Sequence, residues 1–88
     1  MKGTYKVAPH IAWRRVEDEI VALDLNTSVY YSFNDVGARA WELLAGSEPV
    51  TKVAQTVAEE FESDEKTVAK DVEEFLADLC EEKLLEPA

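Results

Sequence analysis

The length, composition and charge of the chain exclude several classes of protein. The chain has 88 residues, of which 47% are hydrophobic, and its formal net charge at pH 7 is −10. A chain of this size excludes only about 60 to 65% of its unfolded surface from water, which leaves little room for both a core and a deep catalytic cleft. We expect a single domain over residues 1–88, with residues 1–8 as a candidate flexible segment.

Two further features indicate a cytoplasmic protein without cofactors. No apolar run approaches the roughly 20 residues that a membrane helix needs, and the N-terminal residues lack the apolar stretch of a signal peptide. Cys80 is the only cysteine, so it can form neither an intrachain disulfide nor a cysteine-based metal site. We therefore expect a reducing, cytoplasmic compartment, no metal and no cofactor.

The first third of the chain has the pattern of β-structure. Short segments rich in branched and aromatic residues alternate with polar turns. They predict a three-stranded antiparallel sheet with strands HIAWRRV (10–16), EIVALDL (19–25) and SVYYSF (28–33). Side-chain alternation predicts one face for packing against helices, formed by Val21, Leu23, Leu25, Val29, Tyr31 and Phe33.

Three amphipathic helices are predicted to follow, over 34–46, 51–62 and 63–82. Asn34 and Ser63 are the expected N-caps of the first and third helices, because their side chains can accept a hydrogen bond from a free backbone N–H. Three strands followed by three helices predict an α+β domain that resembles a winged helix.

The charge distribution argues against the DNA binding that many winged helices perform. Acidic and basic residues balance over 1–33, so the whole negative excess lies from Asn34 onward. Over residues 64–84, three lysines stand against eight acidic side chains, and such a helix repels phosphates. DNA binding is the least favoured function that we consider.

No set of residues has the pattern of a catalytic site. His10 is the only histidine and has no second histidine or paired cysteine with which to build one. The three glycines are scattered along the chain, whereas a phosphate-binding loop groups them. The acidic residues are most simply the solvated sides of helices. We expect a binding protein and no enzyme.

The stretch SVYYSFNDVGARAWELL, residues 28–44, changes from strand spacing to helical spacing. Its strand contains neither proline nor charge, which are common guards of a sheet edge. An unguarded edge can pair with an extended peptide, whose affinity comes from backbone hydrogen bonds and whose specificity comes from side-chain pockets. The alternative is a structural or regulatory module in which the same edge joins two copies into a homodimer.

The chain resembles the PqqD-like family, the small recognition domains of ribosomally synthesised and modified peptides. The resemblance extends from about residue 10 to residue 86 and is found in YYSFNDVGARAWELLAG, VTKVAQTVAEEF and VAKDVEEFLADLCEEKLLE. Its most specific positions are Asn34, Gly37, Ala38, Trp41, Asp71, Val72, Phe75, Leu76 and Leu79.

This resemblance implies a non-catalytic peptide chaperone that binds the leader of a precursor peptide by β-strand addition. The chaperone would present the peptide to a modifying enzyme, namely a radical SAM enzyme, a leader protease or a cyclase. Backbone pairing would come from Thr27, Ser28, Val29, Tyr30, Tyr31, Ser32 and Phe33. An apolar groove would be floored by Val68, Val72, Phe75, Leu76 and Leu79, of which the last three also serve the core. Asp71 is either a capping or orienting residue at the rim of this groove or a plain solvated aspartate.

One stretch differs from members of the family that serve pyrroloquinoline quinone synthesis. The segment before the first predicted helix, VALDLNTSVYYSFN, lacks their hydrophobic pattern containing Pro-Glu. It is more similar to stand-alone members that serve lasso peptides or peptides modified by radical SAM enzymes. The residues do not choose between these products.

Overall fold

The computed structural model describes residues 3–88. Its elements, in chain order, are β1 (Tyr5–Val7), β2 (Ile11–Val16), β3 (Glu19–Asp24), β4 (Tyr30–Asn34), α1 (Asp35–Ala45), α2 (Val50–Glu60), α3 (Glu65–Glu81) and β5 (Leu85–Pro87). The strands β2, β3 and β4 form an antiparallel sheet in that order. The three helices follow in sequence, with α1 packed against β3 and β4, which confirms the predicted α+β architecture.

The two ends of the described chain pair with each other. β1 and β5 form a separate antiparallel pair in which Tyr5 lies opposite Pro87 and Val7 lies opposite Leu85. The sequence analysis predicts a flexible segment over 1–8, but residues 5–7 form a strand because the C-terminal extension supplies a partner and the core supplies contacts for Tyr5 and Val7. Met1 and Lys2 of that segment lie outside the described residues, and the domain limits 1–88 stay a prediction.

The pleat of β3 is opposite to the predicted one. Ile20 and Ala22 are fully buried, whereas Val21 and Leu23 point to the other face and Leu25 is 59% exposed beyond the strand. The prediction was wrong because both alternating sets of β3 are apolar, so periodicity alone does not tell which set packs against the helices.

In β4 the predicted inward residues Tyr31 and Phe33 do pack against the core. The strand starts at Tyr30, two residues later than predicted. Ser28 has a φ of 63°, a left-handed conformation that an extended strand cannot contain. Val29 consequently lies outside the strand and is 45% exposed.

The helix starts differ from the predicted caps. Asn34 precedes α1 but its side chain makes no cap hydrogen bond, and Asp35 follows with a φ of 49°, so the strand turns into the helix without a loop. Asp64, not Ser63, caps α3, and its carboxylate accepts hydrogen bonds from the Thr67 backbone N–H at 3.0 Å and from the Thr67 hydroxyl at 3.1 Å.

A chain of aromatic rings connects the sheet with α1 and α3. Trp41 of α1 is fully buried and stacks on Phe33 of β4, with ring centroids 5.4 Å apart. Trp13 meets Trp41 edge to face at 5.8 Å, and Phe75 of α3 meets Phe33 edge to face at 5.3 Å. Each such pair contributes about 0.5 to 1.5 kcal/mol beyond area burial, so these rings fix α3 beside β4.

Candidate functional site

One side of β4 is open. β4 pairs with β3 on one side, and no strand of residues 3–88 pairs with its other side. The strands near the two ends of the described chain, β1 and β5, pair with each other and not with β4. β4 also has no charged residue and no proline, so nothing in its own sequence, YYSFN, blocks pairing with another strand.

The ladder determines which backbone groups point outward. The Asp24 N–H donates to the Val29 carbonyl at 2.9 Å. Because antiparallel partners alternate along a ladder, Tyr31 and Phe33 direct their N–H and C=O groups toward β3. Tyr30 and Ser32 direct theirs away from it, and both residues are exposed. These outward groups are the donors and acceptors that an added strand would use.

Asp24 fixes the turn that leads into β4. Its carboxylate accepts hydrogen bonds from the backbone N–H groups of Asn26 at 2.8 Å and Thr27 at 3.1 Å, and His10 Nε2 lies 3.7 Å from its other oxygen. Burial alone would raise the pKa of Asp24, but these hydrogen bonds and the nearby His10 hold that pKa below its usual value. The ionised carboxylate therefore holds the turn at neutral pH.

A small apolar cavity of about 190 Å³ opens between α1 and α3, beside the end of β4. It is lined by Val36, Gly37, Ala40, Asp71, Val72 and Phe75. Gly37 keeps it wide, because a Cβ at that position would lie 3.6 Å from the Phe33 Cβ and 4.0 Å from the Phe75 Cζ. An apolar side chain on a strand beside β4 would fit this cavity.

The start of β4 faces a wider and more polar depression of about 480 Å³. Its walls come from the turn before β4 and from the C-terminal end of α3, which contributes Glu81 and Glu82. The Tyr31 hydroxyl donates to Glu82 Oε2 at 3.3 Å. Partial burial and the Glu82 carboxylate both raise the pKa of the Tyr31 hydroxyl, so it stays a hydrogen-bond donor at neutral pH.

The predicted backbone-pairing residues fall into two groups. Tyr30, Tyr31, Ser32 and Phe33 belong to β4 itself. Of these, only Tyr30 and Ser32 have outward backbone groups; the prediction of backbone pairing was wrong for Tyr31 and Phe33, whose N–H and C=O groups face β3. Thr27, Ser28 and Val29 form the turn and the approach to the strand. All of them lie along one continuous stretch of chain at the open side of the sheet.

The predicted groove residues on α3 also divide. Val68, Val72, Leu76 and Leu79 are at most 5% exposed and form the packed side of the helix. Phe75 is half-buried, Asp71 is exposed, and both line the apolar cavity together with an edge of Val72. The surface that a ligand can touch is thus narrower than the predicted set.

Sequence reasoning missed the α1 side of this cavity. Val36, Gly37 and Ala40 lie on one side of α1 and complete the wall opposite Phe75. The feature of the sequence that could have indicated this wall is a pair of small residues one helical turn apart, Gly37 and Ala40, directly after an edge strand. Small residues have no chemistry that would mark a site, so only the packing identifies them.

Within residues 3–88, no group of three or more His, Cys, Asp or Glu side chains is arranged to hold a metal ion. None of the three described helices is long and apolar enough to cross a membrane.

The comparisons with known proteins agree with this geometry. The profile of the family described as coenzyme PQQ synthesis protein D (PqqD) matches residues 19–85. The structure of TbiB1 in complex with the TbiA(beta) leader peptide is 31% identical in sequence, with a TM-score of 0.86 over 92% of this chain and 94% of that one. A lasso peptide synthetase B1 complexed with its leader peptide shares the fold at 23% identity, with a TM-score of 0.85 over 94% of this chain and 98% of that one. No curated protein sequence matches significantly. The chain belongs to the PqqD family.

Proposed function

We propose that this protein binds the leader of a ribosomally made precursor peptide as an added strand on β4 and presents the peptide to a modifying enzyme. The open side of β4 beside an apolar cavity is the observation that carries the proposal. The protein's role is non-catalytic and cytoplasmic. Its partner enzyme is a radical SAM enzyme, a leader protease or a cyclase that acts on the bound precursor.

The relative with the higher identity supports this assignment. TbiB1 was solved with a leader peptide bound, and the present chain aligns with nearly all of it. An open edge explains how one small domain recognises an extended peptide, since backbone hydrogen bonds are available to any sequence and the flanking pockets select side chains.

The strand and helix directions define how a leader would lie. A leader antiparallel to β4 has its N-terminal part beside Phe33 and the apolar cavity, and its later part beside Tyr31 and Glu82. Alternate leader side chains then face α3, where an apolar one enters the cavity at Gly37 and Phe75. The proposed contact residues are Thr27, Ser28, Val29, Tyr30, Tyr31, Ser32, Phe33, Val36, Gly37, Ala40, Asp71, Val72 and Phe75. The buried Val68, Leu76 and Leu79 shape this surface from beneath.

NMR titration tests the proposal. The ¹⁵N-labelled chain is titrated with synthetic leaders of short precursor peptides found by inspecting its neighbouring genes, and a scrambled leader serves as the control. We expect shifts at Tyr30, Ser32, Gly37 and Phe75, and slower hydrogen exchange of the Ser32 amide, because its N–H gains a partner. Shifts confined to the outer side of α2, with β4 unchanged, would overturn the proposal.

The homodimer is the competing use of the same edge. A second copy paired along β4 would occupy the groups that the leader needs. Sedimentation of the free chain and of the chain with leader separates the two cases. We expect a monomer that forms a one-to-one complex, whereas a tight dimer that ignores the leader contradicts leader binding.

A further inference from the structure

The face of the three-stranded sheet that the helices leave uncovered is apolar. We call it the outer sheet face and define it by Ala12, Arg14, Val16, Val21, Leu23 and Tyr30, which surround a shallow cavity of about 360 Å³. An antiparallel sheet with one solvated face normally alternates hydrophobic inward and polar outward residues. Here β3 is apolar in both directions, with Ile20 and Ala22 inward.

The outer sheet face is accessible in residues 3–88. Tyr30 is 70% exposed and Val16 is 39% exposed. Arg14 is exposed, and no described acidic residue forms an ion pair with it. Since the negative excess of the chain lies in its helical half, and since Arg14 and the exposed Glu19 opposite Val16 balance each other, this face is the neutral side of an acidic molecule.

The size of the face argues against a second copy as its occupant. Strands about 4.8 Å apart and about 3.4 Å per residue make three strands of five or six residues cover roughly 250 Å². This is a projected area, whereas a stable interface buries about 800 Å² of accessible surface on each partner, so a stable dimer would have to extend well beyond this face. A face of this size suits a transient partner that must bind and leave.

The outer sheet face continues into the proposed leader site, because Tyr30 belongs to both the face and the open strand β4. A leader strand on β4 would widen the sheet by one strand, and every second leader side chain would then point to the outer side next to Tyr30 and Ser32. A partner that binds this widened face would distinguish the leader-bound chain from the free chain.

We propose that the enzyme that modifies the precursor docks on the outer sheet face and that the bound leader completes its docking surface. This inference rests on the proposed function. The proposal predicts that the enzyme has an apolar patch that contacts Val21 and Leu23, and an acidic side chain that pairs with Arg14. Leader recognition then uses the unpaired edge of β4, and enzyme recruitment uses the outer face of the sheet.

The test reconstitutes modification with this chain, the precursor peptide whose leader it binds in the titration above and the modifying enzyme encoded with that precursor. Two variants alter the outer sheet face on strands other than β4: Arg14→Glu lies on β2, two strands from the leader edge, and Val21→Glu lies on β3 opposite Ser32. Val21→Thr is the matched control because it keeps the β-branched shape and strand propensity. We expect both glutamate variants to lower kcat/KM for the precursor about tenfold, which corresponds to about 1.4 kcal/mol, while the leader Kd changes less than about twofold.

Circular dichroism first establishes folding, and the exposed Arg14→Glu keeps the test informative if Val21→Glu unfolds. Unchanged kcat/KM for Arg14→Glu, with leader affinity intact, would overturn the docking surface and leave the proposed function standing. A wild-type chain that does not bind the leader would instead refute the proposed function. A wild-type dimer that Arg14→Glu or Val21→Glu dissociates would assign this face to a second copy and overturn the inference.

Discussion

Within residues 3–88, β1 and β4 are both short edge strands that pair with one strand each, and they differ in what surrounds them. β1 is paired with β5, and the pair is held by the hydrogen bond from the Ala8 N–H to the Leu84 carbonyl at 3.0 Å and by the buried Leu84 and Leu85. β4 is paired with β3, and its unpaired side lies beside the apolar cavity between α1 and α3.

The β1–β5 pair serves stability, and we propose that the unpaired side of β4 serves recognition. The closed pair joins the ends of the described chain and buries apolar side chains. The open strand is flanked by an apolar cavity and carries no guard residue, so an added strand gains both hydrogen bonds and a side-chain pocket. The substitutions below run from the largest to the smallest expected effect on stability or leader affinity.

Leu85→Ala weakens the β1–β5 pair. Leu85 is 2% exposed, so removing its side chain leaves a cavity, and we expect the free energy of unfolding to fall by about 2 to 5 kcal/mol. Urea denaturation measures the change, and the exposed Pro87→Ala is the control with a small effect. The fraction that remains folded should bind leader normally, and a selective loss of leader affinity would contradict the separation between the two edges.

Ser32→Pro blocks the open edge. Proline removes the outward N–H of Ser32 and places its ring where an added strand would lie, so we expect the leader Kd to rise on the order of 10- to 100-fold. The free protein should lose little stability, because proline is tolerated where an edge N–H faces solvent. Calorimetry measures affinity, and Ser32→Thr is the matched control. Equal leader affinity in Ser32→Pro would exclude pairing at this position.

Gly37→Ala separates the effect on stability from the effect on leader binding in one substitution. The new Cβ fits at ordinary contact distance, and we expect the helix to gain about 0.5 to 1 kcal/mol while the narrowed cavity binds leader several-fold more weakly. Ala77→Gly, on the exposed side of α3, is the control that should lower stability without changing affinity. Tighter leader binding by Gly37→Ala would exclude the cavity as a pocket.

Asp24→Asn tests the turn that presents β4. Because the folded state holds the pKa of Asp24 below its usual value, the unfolded state binds more protons as the pH falls below about 5. The stabilisation from Asp24 is thus present at neutral pH and is lost as the pH falls toward its folded pKa. We expect the variant to show a shallower decline in unfolding free energy between pH 6 and about pH 3, measured by chemical denaturation. An unchanged decline would mean that the Asp24 charge does not hold the turn.

The sequence was sufficient for the strands β2 to β4 and for the three helices, since each has a clear periodicity. It was insufficient for β1 and β5, because two three-residue strands at opposite ends of the chain have no local pattern that announces their pairing. It placed Val21 and Leu23 on the wrong face because their neighbours Ile20 and Ala22 are also apolar.

The candidate site was also predictable only in part, because one half of it depends on local sequence and the other half depends on helix packing. An uncharged strand before a helix marks β4 directly. The cavity depends instead on how α1 and α3 pack, and its walls at Gly37 and Ala40 are defined by the absence of bulk. Helical periodicity predicts the inward positions of α3, but it does not distinguish the buried Leu76 from the half-buried Phe75.

The row of rings from Phe75 through Phe33 to Trp41 makes the protein its own optical probe. Trp41 has no contact with water, so its indole emission depends on the aromatic neighbour stacked on it. A leader side chain that displaces Phe75 moves the ring against Phe33 and changes that emission. Because the partly exposed Trp13 also emits, we expect occupancy of the cavity to be followed by intrinsic fluorescence in a Trp13→Phe variant, where Trp41 is the remaining tryptophan.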